Sequence, residues 1–152
     1  MSTEQKELFY VVGISVRTTN ENQQAAKDIP ALWQRFIAEN IADKIPNKSS
    51  NEVYAVYTDY ESDYTKPYTI IIGCRVNEIS NVPEGLVSKK IAAPSYKRYI
   101  AKGDLADNIV YNKWLEIWGE DISRAYTSDY EVYEEKTADS TNAEVEIFIG
   151  VN

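Results

Sequence analysis

The chain has 152 residues, with 16 Lys+Arg against 24 Asp+Glu, no His, a formal charge of -8, 43% hydrophobic and 26% charged residues. This is the length of one domain, since two halves would each be short of core, and the composition is globular, neither that of a disordered chain nor of one built for a bilayer. The charge argues against a nucleic-acid partner, which needs a basic surface to release counterions, and the missing imidazole excludes Ser-His-Asp and Cys-His hydrolases and the usual catalytic zinc sites.

Leu8 to Arg17 (LFYVVGISVR) is β-branched and aromatic and reads as a strand. From Asp28 the period changes: Ile29, Leu32, Trp33, Phe36, Ile37 and Ile41 fall on one helical face, and Pro30, suited to a first turn, sets the helix start near Asp28 as cap. Asn47 to Asn51 (NKSSN) is a loop. Glu52 to Tyr57 and Tyr68 to Val76 are two strands across an acidic connection, Thr58 to Pro67. After a loop carrying Pro83 and Gly85, Ser95 to Lys102 is a strand. Gly103-Asp104 starts a second helix with Asp104 as cap and Val110, Trp114, Ile117, Trp118 and Ile122 as its stripe. Tyr130 to Glu135 and Glu144 to Val151 close the chain as two strands.

The halves, about residues 8–76 and 93–151, thus share the order strand, helix, strand, strand. Ile70-Ile71-Ile72-Gly73 answers Ile147-Phe148-Ile149-Gly150, and each helix carries a Trp in mid-stripe, Trp33 and Trp114. The expectation is a single α+β domain over 1–152, a tandem β-α-β-β repeat forming one antiparallel sheet with two helices on one face and an open or grooved face on the other.

The single cysteine, Cys74, permits no disulfide or thiolate cluster and fits a reducing cytoplasm; it reads as a small buried hydrophobe. No cofactor and no metal is expected. The polar start, Met1 to Glu7, is no signal peptide, and no apolar run approaches the roughly 20 residues of a spanning helix, so no membrane partner is expected. Tyrosine stands out, 12 against 3 Phe and 3 Trp; its apolar ring and polar tip suit a cleft or a sheet surface.

Ile29 to Phe36, Val56 to Gly73, Val82 to Gly85 (VPEG), Ala93 to Gly103, Trp114 to Trp118 (WLEIW), Asp129 to Tyr133 (DYEVY) and Val145 to Val151 resemble, in order, the GyrI-like domain, also called the AraC-type effector-binding domain, found in multidrug-responsive transcription activators and as stand-alone proteins. The resemblance implies a tandem β-α-β-β fold with a shared ligand cleft, an aromatic box that holds lipophilic cations with a buried Glu as counter-charge. It carries that Glu to Glu131 and the aromatic walls to Tyr68, Trp118 and Phe148, with Tyr133 beside them.

Strand alternation puts Glu131 and Tyr133 on one face and Tyr130 and Val132 on the other. On the last strand Val145, Ile147 and Ile149 belong to the helix-covered core, which leaves Glu146, Phe148 and Gly150 toward the open face. A carboxylate among rings loses hydration, and a bound organic cation restores its charged state. On their own terms Trp33 and Trp114 read as core, Trp118 as either core or wall, and Glu146 as a surface alternation partner. Tyr54 and Tyr57 lie on opposite faces, so at most one lines a cleft. Gly73 and Gly150 allow close backbone approach or a bulge.

The leading functional reading is a stand-alone small-molecule-binding domain for a lipophilic, cationic ligand, with no DNA-binding domain of its own, since the effector-like segment begins near Leu8. One alternative is a hydrolase of cyclopropane-containing genotoxins, using Glu131 with Tyr68 or Tyr133 and no metal. The other is a protein partner, in the manner of a gyrase inhibitor, met by the acidic surface.

Overall fold

The computed structural model describes residues 3–4, 9–49, 52–62, 66–78, 82–91, 95–104, 107–120, 124–126, 128–133 and 143–151. Eight strands, β1 (Thr3–Glu4), β2 (Phe9–Thr18), β3 (Val53–Thr58), β4 (Tyr68–Val76), β5 (Val87–Ile91), β6 (Ser95–Gly103), β7 (Ser128–Tyr133) and β8 (Ala143–Val151), form one sheet in the order β1-β6-β8-β7-β3-β4-β2-β5. Every neighbouring pair is antiparallel. The helices are α1 (Ala25–Ala38), the single turn α2 (Ile41–Lys44) and α3 (Ile109–Trp118).

The duplication is visible in this order. The first half contributes β3-β4-β2 and the second β7-β8-β6, and the halves meet through β3 and β7. That central ladder pairs Ala55 with Glu131 and Tyr57 with Asp129, and with Ile70 matched to Ile147 the pairings Tyr57–Ile70 and Glu131–Ile147 make Tyr57 and Glu131 repeat equivalents. The strands β1 and β5, outside the repeat, were not legible in the sequence; they add to the two edges.

Both helices start elsewhere than the sequence suggests. α1 begins at Ala25 and carries Pro30 past its first turn, where the missing N–H leaves one helical bond unmade. Asp28 is inside the helix, and its carboxylate accepts from Thr18 Oγ1 at 2.8 Å and Gln24 Nε2 at 3.1 Å, which ties α1 to the end of β2. α3 begins at Ile109 behind a left-handed Asn108 (φ 56°), not at Asp104, whose carbonyl instead accepts from the Asp107 amide at 2.9 Å. Ile122, Glu134 and Glu135 lie outside the described residues.

The two faces of the sheet are both packed. On the helix side Val12, Ile14, Ile70 and Ile72 meet Leu32 and Phe36 of α1, and Val145, Ile147, Ile149 and Ala101 meet Trp114 and Ile117 of α3. On the other side Phe9, Tyr54, Tyr96, Tyr130 and Phe148 form an aromatic cluster, with the Tyr130 and Phe148 rings stacked at 4.9 Å. Phe9 on β2 reaches Tyr130 on β7 at 5.1 Å, although three strand spacings in a flat sheet would separate them by about 14 Å. The sheet therefore curls toward this side. The paired Gly13 and Gly73 permit the close approach that goes with it: a Cβ on Gly73 would stand 2.0 Å from the Val12 carbonyl oxygen, and one on Gly13 2.1 Å from that of Ile72.

Candidate functional site

The curl settles where a cleft can be. The face opposite the helices, expected to be open, is concave and filled by its own aromatic cluster, and the cavity lies instead on the helix side, between α1 and α3. It encloses about 720 Å³. Ala26, Ile29, Pro30 and Trp33 of α1 form one wall, Val110, Tyr111, Trp114 and Trp118 of α3 the other, and Tyr57, Tyr68, Glu131 and Tyr133 the sheet floor.

Of the residues singled out in the sequence, Glu131, Tyr68, Trp118 and Tyr133 all line this cavity. Phe148 does not. In the β7–β8 ladder Tyr130 stands opposite Phe148 and Glu131 opposite Ile147, and directly opposed residues share a face, so the ring of Phe148 belongs to the back cluster while Glu131 points toward the helices. Trp33 and Trp114, which read as core, are cavity walls as well as packing residues. Tyr57 is the member of the Tyr54/Tyr57 pair that lines the cavity; Tyr54 lies in the back cluster. Glu146 is held in an ion pair with Arg98 at 2.6 Å.

Glu131 is 1% exposed and accepts three hydrogen bonds: from Trp114 Nε1 at 2.5 Å and Tyr57 Oη at 3.0 Å on Oε2, and from Tyr133 Oη at 2.6 Å on Oε1. Burial pushes its carboxyl above the ordinary value, and the three donors pull it back toward ionisation. Burial first, and then the same carboxylate, holds the Tyr57 and Tyr133 hydroxyls well above the ordinary phenol range, so both remain donors. Two edge-on ring pairs stand at the cavity, Trp33 with Tyr133 at 4.9 Å and Trp114 with Tyr57 at 5.1 Å.

A second carboxylate, Asp129, sits two residues earlier on β7 and is fully buried. It accepts from Tyr60 Oη at 2.5 Å, from Arg124 Nη2 at 2.7 Å and from the Gly150 amide at 2.7 Å. The Arg124 guanidinium lies over the Tyr126 ring at 4.4 Å and reaches the cavity edge. Asp129 is thereby ion-paired, whereas the three partners that surround Glu131 are neutral. Sequence reasoning missed Asp129 as a second buried carboxylate together with its partners Tyr60 and Arg124, which reach it from the connections after β3 and before β7. It had the signal for the two Trp residues in their matched mid-stripe positions. No group of three or more Cys, Asp and Glu suited to a metal ion occurs among the described residues. No helix among them is long and apolar enough to cross a membrane.

Residues 3–151 match the model of Cass2, the integron-associated effector-binding proteins. The chain belongs to the Cass2 family. An integron cassette protein from the mobile metagenome of Vibrio cholerae has a crystal structure similar to the present one, with a TM-score of 0.76, 34% identity, and coverage of 99% of this chain and 95% of that one. The candidate transcriptional regulator YobU of Bacillus subtilis (strain 168) is 25% identical over 143 residues, covering 91% of this chain and 89% of its own. SAV2435, solved bound to tetraphenylphosphonium, shares the fold at a TM-score of 0.81 over 99% of this chain and 93% of that one, at 16% identity. The Cass2 match and these structures agree with the resemblance to GyrI-like effector-binding domains and with an α+β antiparallel fold. The Cass2 family is thus related to the ligand-binding domains of transcription regulators, and small-molecule binding is its general character.

Proposed function

We propose that this protein is a binding module that captures a lipophilic organic cation between α1 and α3, with Glu131 as counter-charge and Tyr68, Tyr133, Trp118, Trp33 and Trp114 as aromatic walls. The observation that carries this reading is the environment of Glu131, a carboxylate buried in an aromatic cavity whose three partners are all neutral donors. Such a group keeps its full negative charge when ionised and gains from a cation that replaces lost hydration. Each ring face adds about 0.5–2 kcal/mol of cation-π attraction. The tetraphenylphosphonium in the SAV2435 structure is a ligand of this chemical kind on the same fold. With a formal charge of -8, the protein would act on transcription by sequestering its ligand or through a protein partner, not by gripping DNA itself.

The test is a titration with tetraphenylphosphonium followed by tryptophan quenching, in the wild type and in Glu131→Gln. Saturable binding that weakens by about 10- to 100-fold in the variant, roughly 1.4–2.7 kcal/mol, supports the reading. Equal affinity of the two forms sinks it.

A further inference from the structure

The hydrogen bonds around Glu131 also determine what kind of cation can use it. A carboxylate offers about four lone-pair directions, two on each oxygen. On Oε2 both are occupied, by Trp114 Nε1 and Tyr57 Oη, and on Oε1 one is occupied, by Tyr133 Oη. Asp129, the other buried acid on β7, is bonded by Tyr60, Arg124 and the Gly150 amide and does not line the cavity. The Tyr68 hydroxyl on the floor donates to Asn20 Oδ1 at 2.7 Å. The cavity thus presents the negative charge of Glu131 while three of its four acceptor directions are already filled.

We propose that the cavity selects lipophilic cations that have no N–H donor, quaternary ammonium or phosphonium centres, over protonated amines of the same size and shape. The inference rests on the reading of the cavity as a cation site. A charge without donors interacts with Glu131 at a distance and with the ring faces directly, and neither interaction consumes a lone pair. A protonated amine arrives with an N–H that water was bonding, and only the one remaining direction on Oε1 can accept it with full charge; an amine that cannot seat its bulk in the cavity and aim its N–H along that direction at once carries a desolvation penalty that is larger for charged groups. The phenol oxygens of Tyr57 and Tyr133 keep lone pairs, but a neutral acceptor is weaker toward an ammonium than the carboxylate they shield.

The experiment compares two probes that differ in one methyl group, trimethyl(1-naphthylmethyl)ammonium and protonated N,N-dimethyl-1-naphthylmethylamine, titrated calorimetrically at neutral pH. The wild type is expected to bind the quaternary probe about ten-fold tighter or more, each factor of ten being about 1.4 kcal/mol. Tyr133→Phe removes the donor on Oε1 and is expected to narrow the gap by tightening the amine. Tyr57→Phe, which frees a direction on Oε2, makes the same prediction and replaces Tyr133→Phe if that variant does not fold. Equal affinity of the two probes for the wild type overturns the selectivity while leaving the cation site standing. A gap unchanged in the folded variants overturns its cause. Failure of both probes to bind overturns the cation site itself, and the selectivity with it.

Discussion

Trp114 Nε1 donates to Glu131 Oε2 across 2.5 Å, and through this bond α3 is fastened to the floor of the cavity that it walls. The indole therefore does two things that are separable by substitution: its ring packs against Tyr57 and its N–H holds charge on the carboxylate. Trp114→Phe keeps an aromatic ring and removes the donor. With that donor gone, the Glu131 carboxyl moves further above its ordinary value. The expected outcome is tetraphenylphosphonium affinity lower by about ten-fold and stability lower by about 1–3 kcal/mol, the cost of a lost bond to a charged group. Urea unfolding and fluorescence titration on the same preparation check both. Unchanged affinity with reduced stability would assign the bond to the fold alone.

Ligand binding should depend on pH with a definite sign. Burial raises the Glu131 carboxyl above 4.5, and a permanent cation needs it ionised. Affinity for tetraphenylphosphonium is then full above the raised value and declines as pH falls through it, by at most about ten-fold per pH unit, with the decline beginning above pH 4.5. The empty protein follows the opposite sign. Its folded carboxyl binds a proton more tightly than the unfolded one, so the group's contribution to stability is fully present below 4.5 and is lost as pH rises through the folded value. Glu131→Gln should flatten the binding profile over this window. A variant that keeps the wild-type slope would transfer the titration to another group, Asp129 being the other buried carboxyl on β7 raised by burial.

The close approach of β2 and β4 gives a prediction about the fold with no ligand involved. A Cβ on Gly73 would stand 2.0 Å from the Val12 carbonyl oxygen and 2.8 Å from the Gly13 Cα, both of them backbone atoms that cannot rotate away. Gly73→Ala should therefore separate the strands at the centre of the first repeat and cost more than about 3 kcal/mol, at the upper end of the overpacking range. Chemical denaturation measures this directly. A midpoint within error of the wild type would mean that the ladder relaxes there without strain.

How far the sequence could be read follows from which facts are local. Alternation along β7 is local, and it correctly put Glu131 with Tyr133, whose hydroxyl donates to that carboxylate. Helical period is local, and it found both helices and the matched Trp33 and Trp114. Which face of a strand meets the helices is a matter of register, and a slip of one residue exchanges the two faces entirely. Glu131 opposite Ile147 lies on the helix side, while Phe148, one residue on and opposite Tyr130, lies behind the sheet. The curl that fills the back face depends on Phe9 meeting Tyr130 across three strand intervals, a contact between distant segments that no window of sequence contains.

The division between the two aromatic sets can be tested with one substitution from each. Phe148 is 5% exposed and packs against Tyr130 and Tyr96 behind the sheet, with Ile147 and the strand itself between it and the cavity. Phe148→Ala should destabilise the protein by about 3–5 kcal/mol through the void it leaves and, where enough protein remains folded, leave the tetraphenylphosphonium affinity within two-fold, roughly 0.4 kcal/mol. Trp33 is half-buried on α1, lines the cavity and meets Tyr133 edge-on at 4.9 Å. Trp33→Ala should have the reverse profile, a smaller stability loss than Phe148→Ala and an affinity lower by about ten-fold, because the ligand loses a ring face while the helix keeps Leu32 and Phe36 in the core. Thermal melts with and without ligand separate the two effects. A Phe148→Ala protein that folds yet no longer responds to the cation would move the aromatic wall back to the far side of the sheet.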